Sequence, residues 1–423
     1  MLKRPIVWAW ATYDFANSAF TTLVVTFVYS TYFTQAIAPD EITGTVLWSR
    51  GVTISALLVA ILSPVLGALA DQGGYRKRFM FLMTVIAVAG SVMLYFPEPG
   101  EVMRALFWFV IANVAFEMGI VFYNSYLPDI AAVGEIGKVS GFGWGLGYVG
   151  GLLALVLAMV GFVSPDVAWF GFSHEAGANI RATNLLVAAW FGLFSIPPLL
   201  MLKDPLRPAR QPLTQTIKAT LRQLQTTLRS LRSYRQVARL LLARMIYNDG
   251  LITIFAFGGI YAAGTFGFTF NEIMIFGIVI NIGAGVGAFI AGPIDDQRGA
   301  KWTILVSIIG LIIATLLALL ATSKAMFWVA AIMVGLLSGP NQAASRSLMA
   351  RFTPAHLKNE FFGFYAFSGK ATAFLGPLLL GILTAMFQSQ RAGIGIVAVL
   401  FAIGGWLLLG VDEAEGIQAS GNA

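Results

Sequence analysis

The sequence contains no cysteine and only two histidines, His174 and His356, both in expected loops. Thiolate catalysis, disulfides and Cys-ligated metals are excluded, and a multi-His centre has too few ligands. No metal and no cofactor are expected. Charge is also scarce. Asp, Glu, Lys and Arg make up 11% of 423 residues, against roughly 25% in soluble proteins. No Walker-type phosphate loop is present, which argues against an ATP-driven pump. The Gly-rich run 141–151 follows no expected strand and reads as close helix packing. No nucleophile, acid–base or metal constellation suggests catalysis, so the chain is not expected to be an enzyme.

What is abundant is apolar surface. Apolar residues make up 58% of the chain, with 45 Gly in addition. A membrane-crossing helix needs about 20 such residues, so the total would supply about twelve. Apolar runs fall at 7–36, 46–70, 78–96, 103–127, 138–163, 180–202, 237–263, 271–294, 301–321, 325–349, 360–386 and 391–411. They are continuous and long, unlike the alternating ten-residue strands of a barrel. An all-α polytopic membrane protein is expected, with spans 1–12 in that order. The first run is too long for a signal peptide and is kept as span 1.

Positive charge sets the expected orientation. With the N-terminus inside, 19 Lys and Arg fall on the inner side and five on the outer. Both termini are therefore expected in the cytoplasm. The stretch 203–236 carries eight bases against one acid, Asp204. Its Ile217, Leu221, Leu224, Leu228 and Leu231 recur at helical spacing. It reads as a basic amphipathic helix on the membrane surface rather than a nucleic-acid site. The expected domains are a six-helix lobe at 1–202, this linker at 203–236, a second six-helix lobe at 237–411 and a short acidic tail at 412–423.

The halves repeat. Gly67, Asp71, Gln72, Gly74 and Arg76, between spans 2 and 3, recur 225 residues later as Gly292, Asp296, Gln297, Gly299 and Lys301. Gly141-Phe142 and Gly147 recur as Gly363-Phe364 and Gly369 at an offset of 222, and Tyr13 is echoed by Tyr247. Such duplication marks a two-lobed transporter.

Gly67, Asp71, Gly74, Arg76 and Lys77 resemble the inner-loop motif of the major facilitator superfamily, one residue tighter than its usual spacing. The run Tyr13-Asp14-Phe-Ala-Asn17-Ser18 resembles one branch of it. So do Tyr123-Asn124-Ser-Tyr-Leu-Pro128-Asp129 and Ser140-Gly-Phe-Gly-Trp144-Gly-x-Gly-Tyr148. That branch is the autophagy-related vacuole effluxer family with its bacterial relatives. The resemblance covers nearly the whole chain, strongly in the N-terminal half and more dilutely in the C-terminal half. It implies the major facilitator fold, two pseudo-symmetric six-helix lobes with spans 1, 4, 7 and 10 lining a central cavity. The fungal members are linked to amino-acid efflux, so the cargo expected here is a small zwitterion.

Intramembrane charges are costly and mark candidate function. Asp14 lies roughly 10 Å into span 1 at 1.5 Å per residue, with Asn17 and Thr21 on the same stripe. Glu117 lies midway along span 4, sharing a face with Asn113 and Asn124. Lys370 lies near mid-depth in span 11 and is expected either to meet the solute or to pair with Glu117. Tyr13, Tyr247, Asn248, Asp249 and Gln342 complete the expected substrate or proton pathway. Arg244 is expected to snorkel to the interface. In the loop motifs, Gly67, Asp71, Gly74, Arg76, Lys77, Gly292, Asp296, Gly299 and Lys301 are expected to gate. Their aspartates are suited to cap a turn or to meet another helix's positive N-terminus.

The expected function is proton-coupled efflux of amino acids or similar zwitterions by alternating access. The expected partners are the solute, protons and the lipid bilayer. The chain is expected to act as a monomer in a bacterial inner membrane. A proton-coupled exporter of lipophilic or cationic compounds is the alternative, and a non-transporting receptor a more distant one.

Overall fold

The structure is a computed structural model that describes residues 4–204, Arg222 and residues 234–421. The amphipathic helix expected over 203–236 lies, apart from its ends and Arg222, outside the described residues.

All secondary structure among the described residues is helical. Helix α1 (Pro5–Ala19) continues through π-helical turns at Phe20–Phe27 and Phe33–Ile37. It is followed by α2 (Glu41–Gly73), α3 (Arg76–Met93) and α4 (Val102–Asn124). Next come α5 (Ile136–Ala158) and α6 (Ala178–Phe194, extended by Ile196–Met201). The second half holds α7 (Arg235–Phe266), α8 (Phe270–Arg298), α9 (Ala300–Leu320) and α10 (Lys324–Arg351). Then α11 runs over Lys358–Lys370 and resumes at Leu375–Phe387, α12 spans Gln390–Leu409, and α13 spans Glu413–Ser420.

Each expected apolar run thus corresponds to one helix. By length and composition, nine of the described helices can cross a membrane. Three fall short for local reasons. Helix α1 and its π continuation carry Thr12, Asp14, Asn17, Ser18, Thr21 and Thr22. Helix α3 packs Arg76, Lys77 and Arg78 into its first turn. Helix α10 carries Asn341, Gln342, Ser345, Arg346 and Ser347 in its second half. Another expectation is corrected at span 11. It was read as one continuous run, but the helix breaks after Lys370.

Helix ends follow ordinary capping chemistry. Asp40 accepts a hydrogen bond from the Thr43 N–H at the start of α2. Thr269 and Glu272 form a reciprocal capping box at α8. Gly74 ends α2 at φ +64°, a left-handed conformation that costs glycine nothing. The lipid-facing surface is apolar and exposed, as at Ile61, Leu200 and Trp406.

Within the first six helices, α1 packs against α5 and α6, α3 against α4 and α6, and α2 against α4. Helices α7–α12 do likewise, with α7 and α9 against α12, and α8 and α9 against α10. These are the two six-helix lobes. They meet where α2 lies along α11 and where α5 lies along α8 and α10.

Candidate functional site

The loop motifs hold the two lobes together. A β-carbon at Gly67 would lie 2.3 Å from the Asn359 carbonyl oxygen, so only glycine admits this approach. One turn on, the Asp71 carboxylate accepts from the Asn359 amide at 2.8 Å and from the Glu360 backbone N–H at 2.8 Å. Those groups belong to the first turn of α11, in the other lobe. In the second copy, Asp296 accepts from the Gly137 and Lys138 backbone N–H groups at 2.7 and 3.0 Å. These open α5, again in the other lobe. Each aspartate therefore meets the unpaired N–H groups and positive dipole end of a helix across the interface. Of the partners open to Asp71 in the sequence, the helix N-terminus is the one observed.

The duplication extends to the bases. The Lys77 N–H and the Arg76 Nε bind Asp204, which follows α6. The Ala300 and Lys301 N–H groups bind Glu413, which follows α12. Lys77 Nζ donates to the Leu200 carbonyl, and Lys301 Nζ to the Leu409 carbonyl. Arg76 is buried beneath Tyr126 and also pairs with Asp129 at 2.8 Å. Lys358 of the other lobe shares Asp129. Arg351 bridges Asp295, Asp296 and Glu413. The glycine echo has the same meaning. A β-carbon at Gly141 would lie 2.4 Å from the Ala288 carbonyl oxygen, and one at Gly363 would lie 2.3 Å from that of Ser63.

Above this latch sits Arg346, a residue that sequence reasoning left out of the site. Its Nη1 donates to Asp14 at 2.8 Å and to Asn124 at 3.2 Å. Its Nε and Nη2 donate to the Ser140 hydroxyl and carbonyl at 3.0 and 2.7 Å. Trp10, Tyr123 and Trp144 surround the guanidinium, with ring centroids 4.9 to 5.9 Å away. Arg346 thus joins α10 to α1, α4 and α5. It lies five residues from the end of α10. The signal that could have found it is the run of small and polar residues around it, Ala343-Ala-Ser345 and Ser347, which leaves room for the other lobe.

A second cross-lobe pair lies deeper. Lys370 Nζ donates to Glu117 Oε1 at 2.5 Å. Lys370 is twelve residues into α11, roughly 18 Å from its start at 1.5 Å per residue. The two pairs differ in access. The side chains of Glu117 and Lys370 are 18% and 29% exposed, whereas Arg346 is 2% exposed. The deeper pair is the more accessible of the two. Tyr148 adds a weak contact across the lobes, donating to Gln342 at 3.5 Å.

Other expected residues lie elsewhere. Tyr13 is fully buried inside the first lobe, where its hydroxyl bonds Thr84 at 2.8 Å and its ring stacks on Tyr123. Tyr247 is its counterpart in the second lobe, bonded to Ser345 at 2.8 Å. Asn113 and Asn17 are buried, and among the described residues the Asn17 amide nitrogen has no hydrogen-bond partner. Asn248 reaches the Gly369 carbonyl at 3.3 Å, and Asp249 is buried facing α11 at Thr372. Arg244 does not snorkel. It stacks on Tyr365 at 3.7 Å and donates to the Tyr365 carbonyl and the Ser368 hydroxyl, because α11 offers it acceptors that lipid cannot.

Comparison with known proteins agrees with this architecture. The family model described as "Vacuole effluxer Atg22 like" matches residues 41–421. The chain is 28% identical over 415 residues to the uncharacterized MFS-type transporter YxiO of Bacillus subtilis, covering 97% of this chain and 96% of that protein. It is 21% identical to autophagy-related protein 22 of Yarrowia lipolytica, covering 86% of this chain and 75% of that one. Among solved structures, the proton:xylose symporter XylE superposes with a TM-score of 0.74 at 14% identity, covering 97% of this chain and 96% of XylE. FucP in its outward conformation gives 0.75 at 13% identity, covering 97% and 100%. These relatives are transporters, not enzymes. The chain belongs to the Atg22-like vacuole effluxer family of the major facilitator superfamily and is an MFS-type transporter of the membrane.

Proposed function

We propose that the chain exports small zwitterionic solutes, amino acids first among them, by proton-coupled alternating access. The observation that carries this reading is the Glu117–Lys370 pair, two opposite charges from opposite lobes, both partly accessible. A zwitterion satisfies both at once. Its ammonium replaces Lys370 on Glu117, and its carboxylate replaces Glu117 on Lys370. A neutral solute would leave the two charges paired and gain little from the site. Exchange of ion-pair partners lets the lobes separate without stranding a charge in low dielectric.

In this reading residues 1–202 and 237–411 rock as two bodies around the site, with 203–236 as their tether and 412–423 as a tail. The loop motifs face the cytoplasm, as the 19-to-5 distribution of bases supports. The structure then represents a state shut on the cytoplasmic side by Asp71, Asp296 and Arg346. Efflux is supported by the family's description, and a monomer in a bacterial inner membrane is sufficient. Asp14 and Glu117 are the proposed proton carriers, since each faces a cation that protonation would release.

The test uses purified protein in liposomes with an imposed proton gradient and a pool of labelled amino acids. Flux that follows the gradient in wild type and is lost in E117Q and K370M supports the reading. Equal flux in K370M and wild type would refute the zwitterion site. Flux without gradient dependence would refute proton coupling.

A further inference from the structure

Helix α11 breaks beside a buried carboxylate that the solute site does not use. Asp249 of α7 is 1% exposed, and among the described residues its Oδ2 has no hydrogen-bond partner. Among the described residues it makes no salt bridge: Lys370 is committed to Glu117, and Arg244 to the Tyr365 carbonyl and Ser368. An isolated buried carboxylate is strongly disfavoured unless something neutralises it.

Oxygen atoms line the facing stretches of α7 and α11 beside Asp249. The Thr372 hydroxyl donates to the Met245 carbonyl at 3.2 Å, and its oxygen lies against the Asp249 carboxyl group. The Thr253 hydroxyl lies one turn along α7, donating to the Asp249 carbonyl at 2.7 Å, which leaves its lone pairs available. Opposite them α11 is unwound over 371–374. There, turn-type bonds from the Ala373 N–H to the Lys370 carbonyl and from the Leu375 N–H to the Thr372 carbonyl interrupt the helical pattern. Helix interruption turns backbone carbonyls out of the ladder, and the C-terminal end of the first half-helix contributes negative dipole. The approach is close. A β-carbon at Gly376 would lie 2.1 Å from the Thr253 hydroxyl and 3.0 Å from the Asp249 carbonyl oxygen.

We propose that Asp249, the hydroxyls of Thr253 and Thr372 and the carbonyls of the α11 break form a binding site for one sodium ion. The donor set is all oxygen with a single carboxylate, which suits a hard monovalent cation. Divalent ions call on more carboxylates, and no group of three or more His, Cys, Asp or Glu side chains occurs among the described residues. A proton on the carboxyl is the competing occupant, and the acid arm of the test separates the two. The site lies two residues beyond Lys370, so an ion there would hold the break, and with it the Lys370 ammonium, in place.

The test measures binding rather than transport, so its failure leaves the solute reading standing. Purified full-length protein in nanodiscs is titrated with NaCl against KCl and choline chloride at constant ionic strength. Melting temperature and radiolabelled sodium binding are both read. The expected result is a saturable sodium-specific rise in melting temperature with about one ion bound. D249N should abolish it, T372V should weaken apparent affinity roughly tenfold or more, and E117Q should retain it. Should D249N fail to fold, T372V and the direct binding count carry the test. No sodium binding to wild type, or equal binding by T372V, would overturn the proposal. Stabilisation by acid alone without a sodium response would also overturn it and assign Asp249 a proton.

Discussion

Replacing Arg346 with methionine keeps most of the side-chain volume and removes the charge. The guanidinium makes four hydrogen bonds, all to the other lobe, on Asp14, Asn124 and Ser140. Removing one partner of a buried ion pair costs about 3–5 kcal/mol, because the remaining charge is left uncompensated. Asp14 is 13% exposed, so water recovers part of this, and the lower end, about 3 kcal/mol, applies. The bonds exist only while the lobes meet at the loop-motif end, so the loss falls on the closed state. At 1.4 kcal/mol per decade, the closed-to-open ratio drops roughly a hundredfold. The chain's lack of cysteine makes this measurable. Ser125 is fully buried at the latch, so a single S125C reports its opening. Its maleimide labelling should accelerate by roughly that factor in R346M. It should return most of the way in D14L/R346M, where neither charge remains. A folded R346M protein labelled at the wild-type rate would refute the assignment of Arg346 to the closed interface.

Three further outcomes follow from the same geometry. Gly67→Val puts a side chain where only 2.3 Å separates a β-carbon from the Asn359 carbonyl, so closure along α2 and α11 should fail and S125C labelling should rise as in R346M. Single charge reversals E117K and K370E should each abolish solute binding, whereas the double reversal should restore part of it, measured by scintillation proximity with a labelled amino acid. At the tail, the Arg235 guanidinium and Gln236 amide hold the Glu415 carboxyl below its ordinary range. A lowered folded value contributes stability above the unfolded value and loses it as pH falls. Docking of α13 should therefore weaken below about pH 4, and E415Q should dock more weakly at pH 7 and lose that dependence, read by hydrogen exchange over 413–420.

Composition and periodicity carry the fold well, because a bilayer admits few architectures and a duplicated motif marks the two halves. The pairing of Asp71 and Asp296 with helix N-termini was legible as a type of contact. Which helix each would meet was not, since Asp71 and Glu360 lie 289 residues apart and no local pattern links them. Tyr13 and Tyr247 read as polar in the sequence, and in the structure each buries its ring and bonds one hydroxyl partner within its own lobe. Arg346 stayed outside the expected site because its partners Asp14, Asn124 and Ser140 come from other helices, which only the packing of the lobes, α5 against α10 included, brings to it. The break in α11 follows Gly369-Lys370 inside an unbroken apolar run, where hydropathy alone reads a continuous helix.

The central claim is that solute crosses only when the loop-motif end opens. The side chains of Ser125 and Asn359 touch across the closed lobes, with Ser125 Oγ donating to Asn359 Oδ1 at 2.7 Å. In the otherwise cysteine-free chain, S125C/N359C should form a disulfide on mild oxidation. Flux of labelled amino acids through liposomes should then stop, and reduction should restore it. Quantitative disulfide formation with undiminished flux would contradict the account.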